Sequence, residues 1–371
     1  MAMTLDMTRR QALELLGMSA AATALPELAA AQATPVFPKG AIIRTILKDY
    51  APEELAGGAT LFHEHMQLAP DFMPRFLAAG AAVRAANGLP PAPARGGGGG
   101  GAARAGGPPP APGPDIMRDV DLMAAEVKKA AADGNLACIV DGGHPDMGRD
   151  INFLRQVSTK SGVPIVAGGG FYNQPFYPKE IPAMSEDDIV KALVKQVDDE
   201  TIGVFGEIGS WDEITADERK VFRAIGRAHV ATNLSIFTHT GIPGKSALEQ
   251  LDILEDAGVK PDRVVIGHMG NLVDANVYVH KQICKRGAFV GFDRQGLNDT
   301  QQVPMVMALI EAGYADHLMF SSDASSGYAK TVTVFLPKLK AAGASDEMLH
   351  KIMYDNPRRF LAFVPKRPRK K

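Results

Sequence analysis

Residues 58–66 read GATLFHEHM, a short apolar run that ends in two histidines one residue apart. The apolar, β-prone residues predict a buried strand. Side chains two residues apart on a strand lie on the same side. His63 and His65 are therefore predicted to point inward together, with Phe62 and Glu64 pointing the other way. Because imidazole is a common ligand for zinc and related ions, the stretch predicts a strand that delivers two ligands to one metal ion.

Similar β-prone runs recur along the chain and alternate with amphipathic helical windows. The predicted strands are 60–63, 136–141, 164–168, 202–207, 234–239, 263–268, 288–293 and 318–323. The helical windows are 116–133, 189–199, 217–232, 246–257, 277–285 and 303–312. Eight such units predict an α/β fold with a parallel sheet closed into a (β/α)8 TIM barrel. An open doubly wound sheet is the alternative, but it would usually carry a glycine-rich phosphate loop where residues 63–65 stand.

The composition narrows the class of protein. The 371 residues suffice for one large domain, and residues 41–47 predict a further strand in a small hairpin at the base of the barrel. A formal net charge of −2 shows no electrostatic signature of nucleic-acid binding. The two cysteines, Cys138 and Cys284, fall in an apolar run and a helical window, so no disulfide is expected.

The first 33 residues have the features of an export signal. Arg9 and Arg10 precede an apolar stretch at 12–24, and an Ala-Gln-Ala cleavage site follows at 31–33. This pattern is typical of a twin-arginine signal, and the stretch is too short to span a bilayer. We therefore expect a periplasmic or secreted protein without a membrane anchor after processing, whose barrel occupies residues 34–371. An ordinary N-terminal helix is the alternative.

Residues 88–114 interrupt the regular alternation. They contain two proline clusters and a run of six glycines. Such a segment buries little apolar surface, so disorder is expected. It falls in the loop after the first barrel strand, on the face that carries active sites in barrels of this kind. Both an inert insertion and a mobile lid fit this position, and we favour the inert insertion.

Histidines and carboxylates stand at the ends of the predicted strands. The six potential metal ligands are His63, His65, Glu207, His239, His268 and Asp323. Functional residues of such barrels lie at these ends, and this set suffices for two divalent ions. Two neighbouring ions would lower the pKa of a bridging water and polarise the substrate's oxygen. Glu207 is the predicted bridge between the ions, and Asp323 is the predicted acceptor of the proton that the bridging hydroxide loses.

The remaining histidines have plainer predicted roles. His229, His280 and His350 fall in helical windows, and His317 begins the last strand on the opposite face, so we expect structural roles. His144 follows the second strand on the active-site face. A supporting role behind the ligands or against the substrate stays open for it.

The chain resembles the phosphotriesterase family of the amidohydrolase superfamily over residues 42–363, outside the Gly/Pro-rich segment. The resemblance is carried by residues 58–66, by DMGRD at 146–150, GEIG at 206–209, THT at 238–240, GH at 267–268 and DNPRRF at 355–360. It implies that His63, His65 and Asp323 bind a more buried ion. His239 and His268 would then bind a more exposed one.

Glu207 departs from the best-known members of that family, which carry a carboxylated lysine at the bridging position. Glutamate supplies a carboxylate without carbon dioxide, but its side chain is shorter. The fourth strand or the ions must therefore lie further inward.

Two further segments are similar to the lactonase-like branch of the family. Arg294 follows Phe292 and Asp293 at the end of the seventh strand, and Tyr172 follows the third strand. The resemblance implies that Arg294 steadies a developing oxyanion and that Tyr172 hydrogen-bonds the ester oxygen. The alternatives are an Asp293–Arg294 structural pair and a tyrosine that only packs.

Together these features predict a metal-dependent hydrolase that acts on a small-molecule lactone or carboxylic ester, or on a phosphotriester. The expected cofactors are two divalent ions, zinc by default, with manganese, cobalt and iron as alternatives. A non-catalytic ligand-binding barrel and an amidase of the same superfamily are the rival interpretations. The oligomeric state stays open, with a homodimer, common among relatives, as one alternative.

Overall fold

The computed structural model describes residues 35–91, 115–241, 244–296, 298–367 and 369. The predicted export signal at 1–33 lies outside the described residues, as does most of the Gly/Pro-rich segment. Within the described ranges, no helix is long and apolar enough to cross a membrane.

Eight parallel strands form a single sheet in chain order. The barrel strands are β3 Ala59–Glu64, β4 Leu136–Asp141, β5 Ile165–Gly169, β6 Val204–Ser210, β7 Ile236–Thr240, β8 Val264–Ile266, β9 Phe289–Phe292 and β10 Leu318–Phe320. Each strand from β3 to β9 pairs in parallel with the strand that follows it in the chain. The predicted (β/α)8 TIM barrel is therefore confirmed. The predicted hairpin also forms, from β1 Ile43–Arg44 and β2 Asp49–Tyr50.

Helices occupy the connections between the strands. They are α1 Phe72–Ala86, α2 Val120–Gly134, α3 Ile151–Ser161, α4 Glu186–Glu200, α5 Ala216–Thr232, α6 Ala247–Asp256, α7 Tyr278–Arg286 and α8 Asp299–Glu311. Three short helices follow, α9 Leu336–Ala341, α10 Asp346–His350 and α11 Asn356–Leu361. Helix α1 was not among the predicted windows, because its sequence FMPRFLAAGAAVRAA has no polar face that would give it an amphipathic period.

Local capping signals decide where several helices begin and end, and α5 shows the pattern. The Thr215 hydroxyl accepts a hydrogen bond from the backbone N–H of Glu218, and the Glu218 carboxylate accepts one from the backbone N–H of Thr215. This reciprocal capping box satisfies two amides that the first turn leaves without a partner. The helix ends at Asn233 in the left-handed conformation, which asparagine tolerates well.

Two strands depart from simple alternation where they carry ligands. The register of β3 against β4 shifts between Leu61 and Glu64. Phe62 and His63 both contact the Phe237 ring, with ring centroids 6.2 and 5.1 Å away. The prediction that Phe62 points away from His63 is therefore wrong, because the irregularity turns consecutive side chains inward.

The irregularity in β6 lies beside its own ligand. The register of β6 against β7 shifts between Phe205 and Ile208, the interval that contains Glu207. Position 206 requires glycine, because a Cβ there would come within 2.3 Å of the Phe237 ring. The backbone of β6 therefore packs directly against the Phe237 ring just before Glu207.

The seam between the first and last barrel strands is closed by backbone hydrogen bonds and by the side chain of Glu64. The Glu64 carboxylate is fully buried and accepts hydrogen bonds from the backbone N–H groups of Ser322 and Ala324, at 2.8 and 3.0 Å. It also accepts from the hydroxyls of Ser321 and Ser322, at 2.8 and 2.6 Å. Burial raises the pKa of Glu64 to about 7, against the effect of these donors. Glu64 thus ties β3 to the chain that follows β10.

Replacing Glu64 should weaken this closure. In Glu64→Gln the amide group brings its own donors toward buried N–H and O–H groups, so at least one of them loses its acceptor. We expect the free energy of unfolding to fall by about 2–3 kcal/mol. Denaturant unfolding at about pH 8, above the pKa of Glu64, measures it. Glu53→Gln, on an exposed side chain, is the matched control. Equal midpoints for Glu64→Gln and wild type would contradict the role of this seam.

Candidate metal centre

The strand ends bring the predicted ligands of the more buried ion together. His63, His65 and Asp323 offer one ligand atom each, and these atoms all lie within 4.8 Å of one another. Asp323 Oδ1 lies 3.7 Å from His63 Nε2 and 3.2 Å from His65 Nε2. All three side chains are largely buried, and Asp323 is the most exposed at 13%.

Glu207 lies between two pairs of histidines. Its Oε2 atom is 3.4 Å from the Nε2 atoms of both His63 and His65. Its Oε1 atom is 2.5 Å from His239 Nδ1 and 2.7 Å from His268 Nε2. Each carboxylate oxygen therefore faces one pair, which is the arrangement that a bridging carboxylate requires.

Three residues of the site follow the last three strands in left-handed backbone conformations. His268, Arg294 and Asp323 have φ values of 57°, 63° and 48°. Non-glycine residues seldom adopt this region, and each instance costs about 1–3 kcal/mol. The predicted strands at 263–268 and 318–323 included two of these residues, but β8 and β10 end earlier. The sharp turns bring these three side chains into the cluster that the strand ends surround.

Negative charge dominates the centre. Burial alone would raise the pKa of Glu207 and of Asp323, but neighbouring positive groups hold both well below the ordinary value. Conversely, burial lowers the pKa of His65, yet Asp323 and Glu207 outweigh it and raise the value to about 9. The same two carboxylates raise the pKa of His63 well above its usual range, against the effect of burial. The carboxylates thus draw positive charge onto their neighbours.

The charges and donors of the site suit divalent cations. Glu207, Asp293 and Asp323 contribute three carboxylates and Arg294 one guanidinium, so two negative charges in this largely buried cluster remain to be balanced by protonated histidines or by bound cations. Buried charge of this kind needs a partner or a metal. His63 Nε2 is buried and has no hydrogen-bond partner among the described residues, although it faces Glu207 and Asp323. Mixed imidazole and carboxylate donors suit zinc and its first-row neighbours.

Asp293 is a site residue that sequence reasoning did not assign. Its Oδ1 atom lies 2.7 Å from His268 Nδ1, and its Oδ2 atom lies 3.3 Å from His63 Nδ1. It therefore orients one histidine of each pair and favours the tautomer that leaves Nε2 free for a metal. The positive charge of His268 holds the pKa of Asp293 below its ordinary value, against the effect of burial. Its position at the end of the seventh predicted strand was the available signal.

Arg294 does not form the alternative structural pair with Asp293. Arg294 Nε instead donates to Asp323 Oδ2 at 2.7 Å, and its Nη2 lies 3.2 Å from His268 Nε2. Arg294 is therefore in direct contact with two predicted ligands. Asp323 and Asp293 raise its pKa above the ordinary value despite burial.

Tyr172 also reaches the centre. Its hydroxyl lies 3.0 Å from His239 Nδ1, and the side chain is buried. Burial raises the pKa of Tyr172 well above its usual range, and burial lowers that of His239 to about 4. The backbone N–H of Tyr172 donates to Asp146, whose other oxygen lies 3.3 Å from His144 Nδ1. His144 therefore lies behind Tyr172, outside the ligand cluster.

The other histidines lie away from the cluster, as predicted. His229 and His280 donate to the backbone carbonyls of Leu234 and Met269. His317 precedes β10 at the far end of the barrel, and His350 stacks on Tyr354. Cys138 and Cys284 are buried free thiols.

A cavity of about 480 Å³ opens beside the centre. His239, Thr240 and Arg294 line it on the barrel side, and Trp211 and helix α1 complete its wall. The cavity is mostly apolar, and its polar lining residues are His239, Thr240 and Arg294 at the candidate metal centre and Arg84 on helix α1. This is the usual composition of a site for a small organic molecule.

The phosphotriesterase family model matches residues 50–361. The chain belongs to the phosphotriesterase family, a family of hydrolases. It is 32% identical to an aryldialkylphosphatase of Saccharolobus solfataricus over 269 residues, which cover 64% of this chain and 84% of that protein. An N-acetyltaurine hydrolase of Dictyostelium discoideum is 27% identical over 67% of this chain and 75% of its own length.

Solved structures show the same architecture. A resiniferatoxin-binding protein of Rhodobacter sphaeroides aligns with a TM-score of 0.70 and 28% identity, over 89% of this chain and 97% of that one. A lactonase of Listeria monocytogenes aligns with a TM-score of 0.69 and 24% identity, over 86% of this chain and 98% of that one. The second likeness concerns the fold alone.

The orienting role of Asp293 can be tested through metal affinity. In Asp293→Asn one histidine of each pair loses a charged acceptor, so its ring is held less firmly and is a poorer donor. We expect the affinity for divalent metal to fall about 10–100-fold, as is typical when such an outer partner is lost. Competition against a chromogenic chelator measures it, with the exposed Asp262→Asn as control. Affinity equal to wild type would show that Asp293 does not support the ligands.

Proposed function

We propose that this protein is a binuclear metal hydrolase that cleaves the ester bond of a lactone or of a carboxylic ester. The observation that carries the proposal is the position of Glu207, with one carboxylate oxygen toward each histidine pair. Two divalent ions, most simply zinc with manganese, cobalt or iron as alternatives, would supply an activated water and polarise the substrate's oxygen.

The ligand set divides into two groups around Glu207. His63, His65 and Asp323 would hold the more buried ion, and their mutual spacing supports this assignment. His239 and His268 would hold the more exposed ion, since His239 Nδ1 and His268 Nε2 lie 2.8 Å apart and His239 lines the cavity. Glu207 would serve both ions.

Asp323 is the proposed proton acceptor. Its low pKa keeps the carboxylate ionised at neutral pH, so it can take the proton that the attacking water releases. Arg294 holds Oδ2 at 2.7 Å and so fixes the direction of the carboxylate. Oδ1 remains directed toward His65.

Arg294 and Tyr172 are proposed to act on the substrate. The guanidinium of Arg294 lines the cavity beside His268, where a positive charge would stabilise the oxygen that becomes negative as the carbonyl is attacked. Tyr172 keeps its proton because burial raises its pKa, so its hydroxyl would donate a hydrogen bond to the ester oxygen. Both interactions suit attack on the carbonyl carbon of an ester, in which one oxygen becomes negatively charged.

Two other reactions and one non-catalytic role are the competing proposals. A phosphotriester also develops negative charge on oxygen, so we expect its cleavage as a side activity. The N-acetyltaurine hydrolases among the relatives favour amide cleavage as the second candidate function. A barrel that only binds a ligand is less well supported, since all six predicted ligands and Arg294 meet at one centre. From the sequence of residues 1–33 we further propose that the enzyme acts after export.

Relative activity on three substrates tests the reaction. We expect kcat/KM of the metal-loaded protein to be at least about tenfold higher on a long-chain lactone than on an aryl dialkyl phosphate or an N-acyl amide, since each tenfold needs only about 1.4 kcal/mol of preference. Removing the metal by chelation should abolish turnover, and adding zinc back should restore it. A phosphotriester preference would make triester cleavage the main activity, and an amide preference would make the protein an amidase. No turnover with metal bound would support the binding-only role.

The role of Tyr172 can be separated from packing. Tyr172→Phe removes only the hydroxyl, so we expect kcat on a lactone to fall about 10–100-fold, with KM changed far less. Tyr177→Phe is the matched control, because that hydroxyl lies in the same loop and has no hydrogen-bond partner among the described residues. If both variants turn over at the same rate, Tyr172 only packs.

A further inference from the structure

Helix α1 forms one wall of the active-site cavity. It begins eight residues after β3 and is held at its start by Phe72, whose ring lies 5.6 Å from the Tyr172 ring. Arg75 Nη2 donates to the Pro175 carbonyl at 2.7 Å, and its guanidinium lies over the Phe176 ring. These contacts fasten the first turn of the helix to the loop after β5.

The second turn of α1 reaches the metal centre. The Phe76 ring lies 5.9 Å from the His239 ring and 5.6 Å from the Trp211 ring. A Cβ at Gly80 would stand 3.6 Å from the Trp211 ring, an ordinary van der Waals contact, so this turn of the helix packs directly beside the indole. Phe76 and Trp211 therefore form an aromatic pair that lines the inner end of the cavity beside a predicted metal ligand.

From this aromatic pair the cavity continues as a groove along one face of α1. The residues that line it are Phe76, Leu77, Gly80, Ala81, Arg84 and Ala85, with the i, i+4 and i+8 spacing of a single helical face. Residues 76 and 84 are eight positions apart, which is about 12 Å along a helix axis. Three of the six are glycine or alanine, so they leave room for an extended chain.

A cationic group stands at the far end of this groove. Arg84 lines the cavity together with Leu89 and Pro91. Its Nε donates to the Pro90 carbonyl at 2.7 Å, which holds the guanidinium in place and leaves its two terminal nitrogens available. In the described part of the chain, no ion pair joins Arg84 to a carboxylate. A held, unpaired guanidinium is well suited to bind an oxyanion.

We propose that the substrate is an ester or lactone whose acyl chain lies along α1 and ends in an anionic group that Arg84 binds. The proposal rests on the proposed hydrolase function and names its substrate class. The scissile carbonyl would lie at the inner end of the groove, next to Arg294 and His239. The methylenes would lie against Phe76, Trp211 and the small residues of α1. A terminal carboxylate, or another oxyanion of similar size, would reach Arg84.

A matched pair of esters tests the proposal. The 4-nitrophenyl half-ester of decanedioic acid carries the terminal carboxylate, and 4-nitrophenyl decanoate has the same chain without it. We expect the half-ester to have the higher kcat/KM, and Arg84→Gln to lower the ratio of the two values about tenfold. Arg84→Lys keeps the charge and should restore part of the ratio. Arg155→Gln, which removes the same charge from helix α3, should leave the ratio as in wild type.

A second variant tests where the chain lies. Ala81→Phe would fill the groove between the Phe76–Trp211 aromatic pair and Arg84. We expect it to lower kcat/KM on the decanoyl ester at least about tenfold relative to 4-nitrophenyl acetate, because the longer chain loses its apolar contacts. If the two esters keep their wild-type ratio in Ala81→Phe, the chain does not lie along α1.

Binding without turnover separates this proposal from the reaction itself. Trp211 is the only tryptophan of the chain and lies in the groove, so its fluorescence reports occupancy. We expect decyl sulfate, below its micelle concentration, to bind more tightly than decanol, and Arg84→Gln to remove most of this difference. That result without turnover of any ester would keep the anion-ended ligand and overturn the hydrolase function. Equal binding of decyl sulfate by wild type and Arg84→Gln, or an unchanged ester ratio, would overturn the role of Arg84.

Discussion

The structure depends on the junction between the first and last barrel strands. His63 and His65 come from β3, whereas Asp323 follows β10, so these three ligands meet only where the barrel closes. The buried carboxylate of Glu64 holds that junction through two backbone amides and two hydroxyls. One residue of the HEH triplet thus helps to close the barrel, while the histidines on either side face the candidate metal centre.

Departures from regular backbone geometry bring the predicted metal ligands together. Register shifts accompany His63 in β3 and Glu207 in β6, and left-handed conformations accompany His268, Arg294 and Asp323. Regular strands would alternate their side chains between the barrel interior and the helices. Regular alternation would point too few side chains into the barrel at one height along its axis to form a metal centre. The irregularities add the side chains that are missing. The unfavourable backbone conformations therefore occur at residues of the candidate metal centre.

The strand ends and the loops of the barrel contribute different parts of the candidate site. Strand ends hold the ligands, Asp293 orients two of them, and Arg294 links Asp323 to the cavity. Helix α1, in the loop after β3, forms the cavity's outer wall. Loops of a barrel can change without disturbing the strand ends, which is why one family of such barrels serves several reactions.

The sequence by itself determined the barrel and which residues form its candidate metal centre. Alternating strands and helices have local periods that can be read residue by residue, and the ligands could be recognised because every one lies at or just after a predicted strand end. Only the tertiary structure decided that Asp293 contacts two histidines, that Arg294 pairs with Asp323 rather than with its neighbour, and that Phe62 points inward with His63. It also decided that an unpatterned apolar segment forms α1 over the site. These outcomes depend on packing between distant segments of the chain, which the local periodicity of the sequence does not reveal.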